Sequence, residues 1–578
     1  MKHLRLSALS LLLVLSMGAC GKAEDPAATE PAQLAKSILS LVPADTPYIL
    51  ANLQPIPEDV IDANFKRMEP LTTEMQAQLS GLKSGLASGG PSVTGDEFSD
   101  RLLLALLDEF DGKLNREGLE SLGWDLQSAN VIYGVGAFPV ARMGLSDAAT
   151  LRATILRVLE NAEVNATEHE YKGLSYWRIA SPNTDEVPVA LYVSILSDHL
   201  AAGMFPLTAE TQYLPSFLGL EKPVKNDAAQ FLAGLNTKHG FTPFGTAFLD
   251  LHRLADEFLD PGATTARAMM SFENYDMSDF SEQCVSETHA MIDKVPTMVF
   301  GITEMKVEAI AYSFLAEMPA TLATQLGGLV PAIPAARAVS ERIAELSFGL
   351  KVGAARDFLR QQAQAIVDQP FQCEHYKDLN EQAAQGLVKL DQPMPPFVNN
   401  FRGIRLSLED IVITPDQQIP TDVKGHLAVH VDQPEMFVGM AQMFLPDLAN
   451  LSLAPGGPPV RIPESLVSVQ GIVAYAAMSD DAIGMSVGEG EEGGLPDFLD
   501  QDAGPEGVFF SVDYDNEAYY DYQLKGLEAS RASMEGDTSI MDLSEAAIRA
   551  TQAAGDRNHM TMKFTSEGLL IENRMTYK

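Results

Sequence analysis

Cys284 is followed five residues later by His289, and Cys373 two residues later by His375, so two thiols and two imidazoles could converge on one point. Two chemistries are open to such a set. Thiolates and imidazoles are zinc ligands, but neither CxxxxH nor CxH is a recurring zinc spacing. Two thiols in an oxidising compartment pair with each other. A Cys284–Cys373 disulfide is therefore the expectation, and its closed loop of nearly ninety residues is worth roughly 4 kcal/mol on chain-entropy grounds.

His426 and His430 form a second candidate, HxxxH. On a helix this would be half of a zinc site, but the alternation of Leu427, Val429 and Val431 reads as a strand. Both imidazoles then point away from the apolar side, and a solvated sheet face is expected. Asp500, Asp502 and Glu506 alternate as calcium ligands would, yet Pro505 stands where an EF-hand requires glycine. The stretch from Asp108 through Asp111-Gly112 has Leu107 and Gly118 at the two anchoring positions of such a loop, and reads as a helix-to-helix connection. No HExxH or P-loop motif occurs. Met269, Met270, Met440 and Met443 fall among apolar residues at helical spacing, where core packing is the expectation over a copper site. No catalytic residue, metal ligand or cofactor is thus expected.

The elements that must position these residues repeat. Three segments run from a strand into an amphipathic helix: one through Ser146 and Asp147 with Leu151, Ile155 and Leu159; one near Leu346 with Phe358, Ala363 and Val367; one through Asp432 and Pro434. Two paired strands around Ser197-Asp198 and around Ser479-Asp480 are each followed by Gly-Met, and Gly203-Met204 and Gly484-Met485 lie 281 residues apart. Asp147 and Asp432 lie 285 apart, and strand pairs from Phe300 and from Met562 close each half. The expected fold is α+β: two related halves of mostly antiparallel sheet, with helices packed on one face, arising from an internal duplication. The expected halves are residues 33–323 and 343–578, joined by a glycine- and proline-bearing connection over 324–342. A helix carrying Leu71, Met75, Leu79, Leu82 and Leu86 on one stripe belongs to the first, and the run through Asp480 to Asp502 reads as a hairpin ending in an acidic, glycine-rich, solvated loop.

The chain opens with Lys2, His3 and Arg5, continues through apolar Leu6 to Leu15, and reaches Met17-Gly18-Ala19-Cys20. A charged stretch, a short apolar stretch and small residues make residues 1–19 a signal peptide. Gly18, Ala19 and Cys20 resemble the lipobox of bacterial lipoproteins, with Met17 standing where leucine is usual. That resemblance implies a diacylglycerol thioether on Cys20 and cleavage just before it, and Gly21 in place of Asp resembles the outer-membrane sorting pattern. Residues 20–32, GKAEDPAATEPA after the cysteine, read as a flexible tether. With 79 acidic against 40 basic residues, nucleic acid is excluded as a partner, and the membrane contact is left to the lipid anchor. The opening Pro43-Ala44-Asp45-Thr46-Pro47, together with the GLESLGWDL stretch from Gly118 and the FGL strand at Phe348, resembles uncharacterised bacterial envelope proteins of unknown function.

The expected role is that of a lipid-anchored envelope protein facing the periplasm, acting on an envelope protein or an apolar ligand by binding rather than catalysis. The alternative is a periplasmic hydrolase whose active site is assembled from distant segments.

Overall fold

The structure is a computed structural model that describes residues 31–87, 97–164, 167–180, 189–270, 280–337, 342–412, 422–444, 448, 451–467, 472–533 and 539–578. The expected signal peptide, Cys20 and most of the expected tether lie outside the described residues, as do the side chains of Leu71, Met75, Leu79, Leu82 and Leu86. Among the described residues, no helix is long and apolar enough to cross a membrane. The chain divides into two compact units, one of residues 1–281 with 296–310 and one of 282–295 with 311–578.

The first unit holds β1 (Tyr48–Ala51), β2 (Asn130–Val135), β3 (Phe138–Gly144), β4 (Glu168–Tyr171), β5 (Leu174–Ile179), β6 (Val189–Ile195), β7 (His199–Pro206), β8 (Thr246–Asp250) and β9 (Thr297–Met305). They pair antiparallel in the order β4–β5–β6–β7–β3–β2–β1–β8–β9. The period-two alternation of β6 explains how both faces become core. Ala190 and Tyr192 join a cluster with Tyr133, Phe205, Tyr213 and Phe217, covered by helices Pro31–Leu39, Glu210–Phe217 and Ala228–His239. On the other side Val193, Trp177 and Leu200 pack with Leu151 and Leu159 of helix Ala148–Asn161. Helices therefore cover both faces of this sheet, and the expectation of helices on one face fails here. The cause is that Leu191, Val193 and Ile195 are as apolar as the residues they alternate with. Asp147 caps its helix as expected, its carboxylate accepting from the amides of Ala149 and Thr150.

The second unit holds most of β10 (Ala309–Glu317), then β11 (Ala344–Gly349), β12 (Phe401–Val412), β13 (Asp422–Val431), β14 (Val460–Arg461), β15 (Ala474–Met478), β16 (Ala482–Val487), β17 (Val508–Asp515), β18 (Gly555–Thr565) and β19 (Gly568–Tyr577). Their order is β14–β15–β16–β13–β12–β11–β17–β18–β19–β10. Helix and antiparallel sheet together make the molecule α+β. Helices Val352–Asp368 and Lys377–Leu390 pack on each other as a hairpin. The former buries no residue fully, and Val367, expected in an apolar stripe, is exposed. Met443 is 80% exposed, against its expected core role.

Cys284, on helix Glu282–Ile292, is disulfide-bonded to Cys373, with Cα atoms 4.7 Å apart. Both thiols are buried, and Glu287 accepts from the backbone amides of Gln372 and Cys373 at 2.8 and 2.9 Å, so the bridge is held by more than its sulfurs. This excludes the metal alternative for that pair, because neither sulfur is free to ligate.

Candidate functional site

The register of the second sheet places unlike side chains on its two faces. One row runs Ser486–His426–Ser407–Glu345–Asp513–His559 across six strands, and the next runs Gly484–Ala428–Arg405–Ser347–Ser511–Thr561. Glu345, Arg405, Ser407, Ser486, Ser511 and Asp513 are wholly buried. The alternate residues form Met485–Leu427–Leu406–Leu346–Val512–Met560 and Ile483–Val429–Ile404–Phe348–Phe510–Met562, all half-buried except Leu406, which is 45% exposed. His426 and His430 are buried, not on a solvated face, which corrects the sequence expectation.

The polar face is buried because two segments lie over it and supply hydrogen bonds. The Pro334 carbonyl accepts from Ser347 Oγ at 2.7 Å, and the Ala336 amide donates to Ser511 Oγ at 2.8 Å. From the other side, short helix Leu495–Leu499 buries Leu495, Phe498 and Leu499. The expected solvated loop thus contains a packed helix. Arg405 stacks 4.3 Å from the Phe498 ring centroid, donates to the Phe498 carbonyl at 3.0 Å and to Gln501 Oε1 at 2.6 Å, and pairs with Glu345 at 2.6 Å. Glu345 also accepts from Arg342 at 2.6 Å, while Asp513 meets Arg557 and His559, so each buried carboxylate has cationic company.

His426 sits where this layer approaches water. Its Nε2 lies 3.0 Å from the carbonyl oxygen of Glu491, which can only accept, so Nε2 carries the hydrogen. Nδ1 then faces Glu409 Oε1 at 3.4 Å with no hydrogen-bond partner among the described residues. The serine hydroxyls paired with it across both neighbouring strands, Ser407 and Ser486, are also without partners among the described residues. Glu409 is the extra residue of a β-bulge, since pairing passes from Leu408 opposite Gly425 to Asp410 opposite Lys424. Glu491 begins the 3₁₀ turn Glu491–Gly494, entered through Gly490 at φ +88°. Gly494 closes the approach, where a Cβ would stand 3.3 Å from His426 Nε2. Burial, and then the hydrogen bond and charge of Glu409, raise the Glu491 carboxyl above the usual range. His430, whose ring nitrogens both lack partners among the described residues, is pushed down to about 4 by burial.

The first unit carries a smaller buried group. Arg142 is wholly buried and donates to the Tyr133 hydroxyl at 3.0 Å and to the Phe217 carbonyl at 2.9 Å, with Nη1 3.0 Å from His199 Nε2. Guanidinium cannot accept, so His199 Nε2 does, and Nδ1–H points to Asp198 Oδ1 at 2.7 Å. Burial holds His199 below the ordinary imidazole range against the pull of Asp198.

Sequence reading missed Glu409, Glu491, Arg405 and Arg142. One signal could have found the arginines' partners: Leu214-Pro215-Ser216-Phe217-Leu218 and Leu495-Pro496-Asp497-Phe498-Leu499 share LPxFL at the 281-residue spacing of the Gly-Met pairs. No family model, curated protein or solved structure matches the chain.

Proposed function

We propose that this is a lipid-anchored protein of the cell envelope, tethered through Cys20 to the outer membrane, facing the periplasm and working by binding an envelope protein or an apolar ligand without catalysis. The apolar face of the second sheet carries this reading: twelve contiguous apolar side chains in two rows, none fully buried, around an exposed Leu406. Such a face loses free energy to water at roughly 25 cal/mol per Å² left uncovered, and gains as much from a partner that covers it. The Gly18-Ala19-Cys20 lipobox supports the anchor.

The proposal includes an origin by internal duplication. What supports it is the shared strand order of the two units, the repeated LPxFL segment, and a buried arginine donating to Phe217 in one unit and to Phe498 in the other. The duplicates then differ in chemistry, with aromatic rings filling the first core where the second holds charges and serines.

Crosslinking in intact envelopes, comparing wild type with Cys20→Ala and Leu406→Glu, tests the reading. Crosslinks lost in both variants support anchored binding through this face; crosslinks unchanged in Leu406→Glu refute it. The paired carboxylates Glu409 and Glu491 favour a second reading, a periplasmic hydrolase. Against it, His426 Nε2 is committed to a backbone carbonyl, and Ser407 and Ser486 are sealed from substrate. Hydrolysis of ester or glycoside probes that disappears in Glu491→Gln would favour the hydrolase.

A further inference from the structure

We propose that Glu409, His426 and Glu491 form a binding site for a divalent transition-metal cation of the zinc class, with water completing its coordination. One donor atom from each residue already lies within 4.8 Å of the others. Two harder observations bear on the site.

The first concerns the imidazole. Because Nε2 donates to the Glu491 carbonyl, the Nδ1 lone pair of a neutral His426 points at a carboxylate oxygen 3.4 Å away. Two electron-rich atoms at that distance repel unless a proton or a metal ion lies between them. His426 is only 4% exposed, and its Nδ1 has no hydrogen-bond partner among the described residues. A metal-ligating histidine ordinarily donates its other N–H to a carbonyl or carboxylate, which fixes the tautomer and aims the lone pair. The Glu491 carbonyl performs that task here, and the Gly494 position leaves it room.

The second concerns dimensions. A tetrahedral ion bound by nitrogen and oxygen at about 2.0–2.1 Å holds its ligand atoms about 3.3–3.4 Å from one another. The Nδ1 to Glu409 Oε1 separation is 3.4 Å. The Glu491 carboxylate supplies the third donor from a turn rather than a strand, within 4.8 Å of the other two. Two carboxylates and a neutral imidazole balance a charge of plus two. Glu409 is 29% exposed on its side chain, so a fourth position is open to solvent. Mixed nitrogen and oxygen ligation with no thiolate suits zinc, and cobalt as its spectroscopic substitute, over copper(I). Metal binding here is separate from the apolar face, which the alternate residues of the same strands form.

The test uses the full-length mature chain in detergent, stripped with a chelator and titrated with zinc chloride by calorimetry at neutral pH. One ion per chain is expected, with affinity weakened by roughly tenfold or more in His426→Gln and in Glu409→Gln, and unchanged in His375→Gln. Circular dichroism checks that each variant is folded. Should the site variants fail to fold, the cobalt(II) spectrum of the wild type decides: d–d bands without a sulfur charge-transfer band are expected. No uptake by the wild type, uptake undiminished in folded His426→Gln, or a sulfur charge-transfer band would each overturn the proposal.

Discussion

His430 sits between Gly403 of β12 and Ala482 of β16, with both ring nitrogens buried and without partners among the described residues, and with Asp481 drawing its pKa up less than burial and Arg405 push it down. The imidazole falls from its ordinary 6.5 to about 4. The unfolded chain therefore takes up a proton that the folded chain refuses. Stability from this group is fully present above pH 6.5, declines as the pH falls, and reaches its floor near pH 4. At pH 5 almost every unfolded chain carries the proton but only about one folded chain in ten, so acidification from pH 7 to pH 5 should cost about 2 kcal/mol through this residue alone. Replacement by leucine, of similar volume and with no polar atom to satisfy, should leave stability at pH 7 equal or higher, because two orphaned nitrogens are removed. Urea unfolding followed by far-ultraviolet circular dichroism at the two pH values measures both quantities. His199 contributes acid sensitivity of the same sign, so the difference between wild type and His430→Leu carries the test. If the variant loses as much stability on acidification as the wild type, His430 is not held neutral by burial and the reasoning is wrong.

Arg405→Met should destabilise by about 3–5 kcal/mol, since it strands a wholly buried Glu345 with Arg342 alone; adding Glu345→Met should recover much of that, and a urea double-mutant cycle reads the coupling. The double variant Cys284→Ser, Cys373→Ser should lose roughly 4 kcal/mol by removing closure of its 89-residue loop, seen as a lower urea midpoint under non-reducing conditions. Gly425→Ala would drive a Cβ into the backbone carbonyl of Ser407 beside the Glu409 bulge, and should cost about 1–3 kcal/mol with faster hydrogen exchange in β12 and β13.

Local chemistry was readable where it depended on few partners. The Cys284–Cys373 bridge followed from two thiols, and the Asp147 cap from one carboxylate before an apolar period. The alternation of β13 was legible too, as was the antiparallel pairing. What could not be read was which side of that alternation would be covered. Leu427 and Val429 are more apolar than His426 and His430, and on transfer energies alone they belong inside. Glu409 and Glu491 were hidden for a different reason: 82 residues separate them, and one depends on a bulge while the other depends on a turn.

The reversal in the second sheet has a cause in the covering segments rather than in the strands. The Pro331–Arg337 stretch and the turn from Glu491 into Leu495–Leu499 bring backbone carbonyls, an amide and the Phe498 ring to the histidine and arginine face. A buried guanidinium with three acceptors and an aromatic face is tolerable where an unpaired one costs several kcal/mol. These segments close by hydrogen bonds that apolar side chains could not make, so burial falls on the polar rows. Gly403 and Gly484 keep that face shallow enough for the cover to sit close, since a Cβ at Gly403 would strike Ile333 and one at Gly484 would strike Leu495 and Leu499. The apolar rows are then left half-covered by default. Binding on one face and an ion on the other would thus share a single origin, the cover that the second unit chose for its sheet.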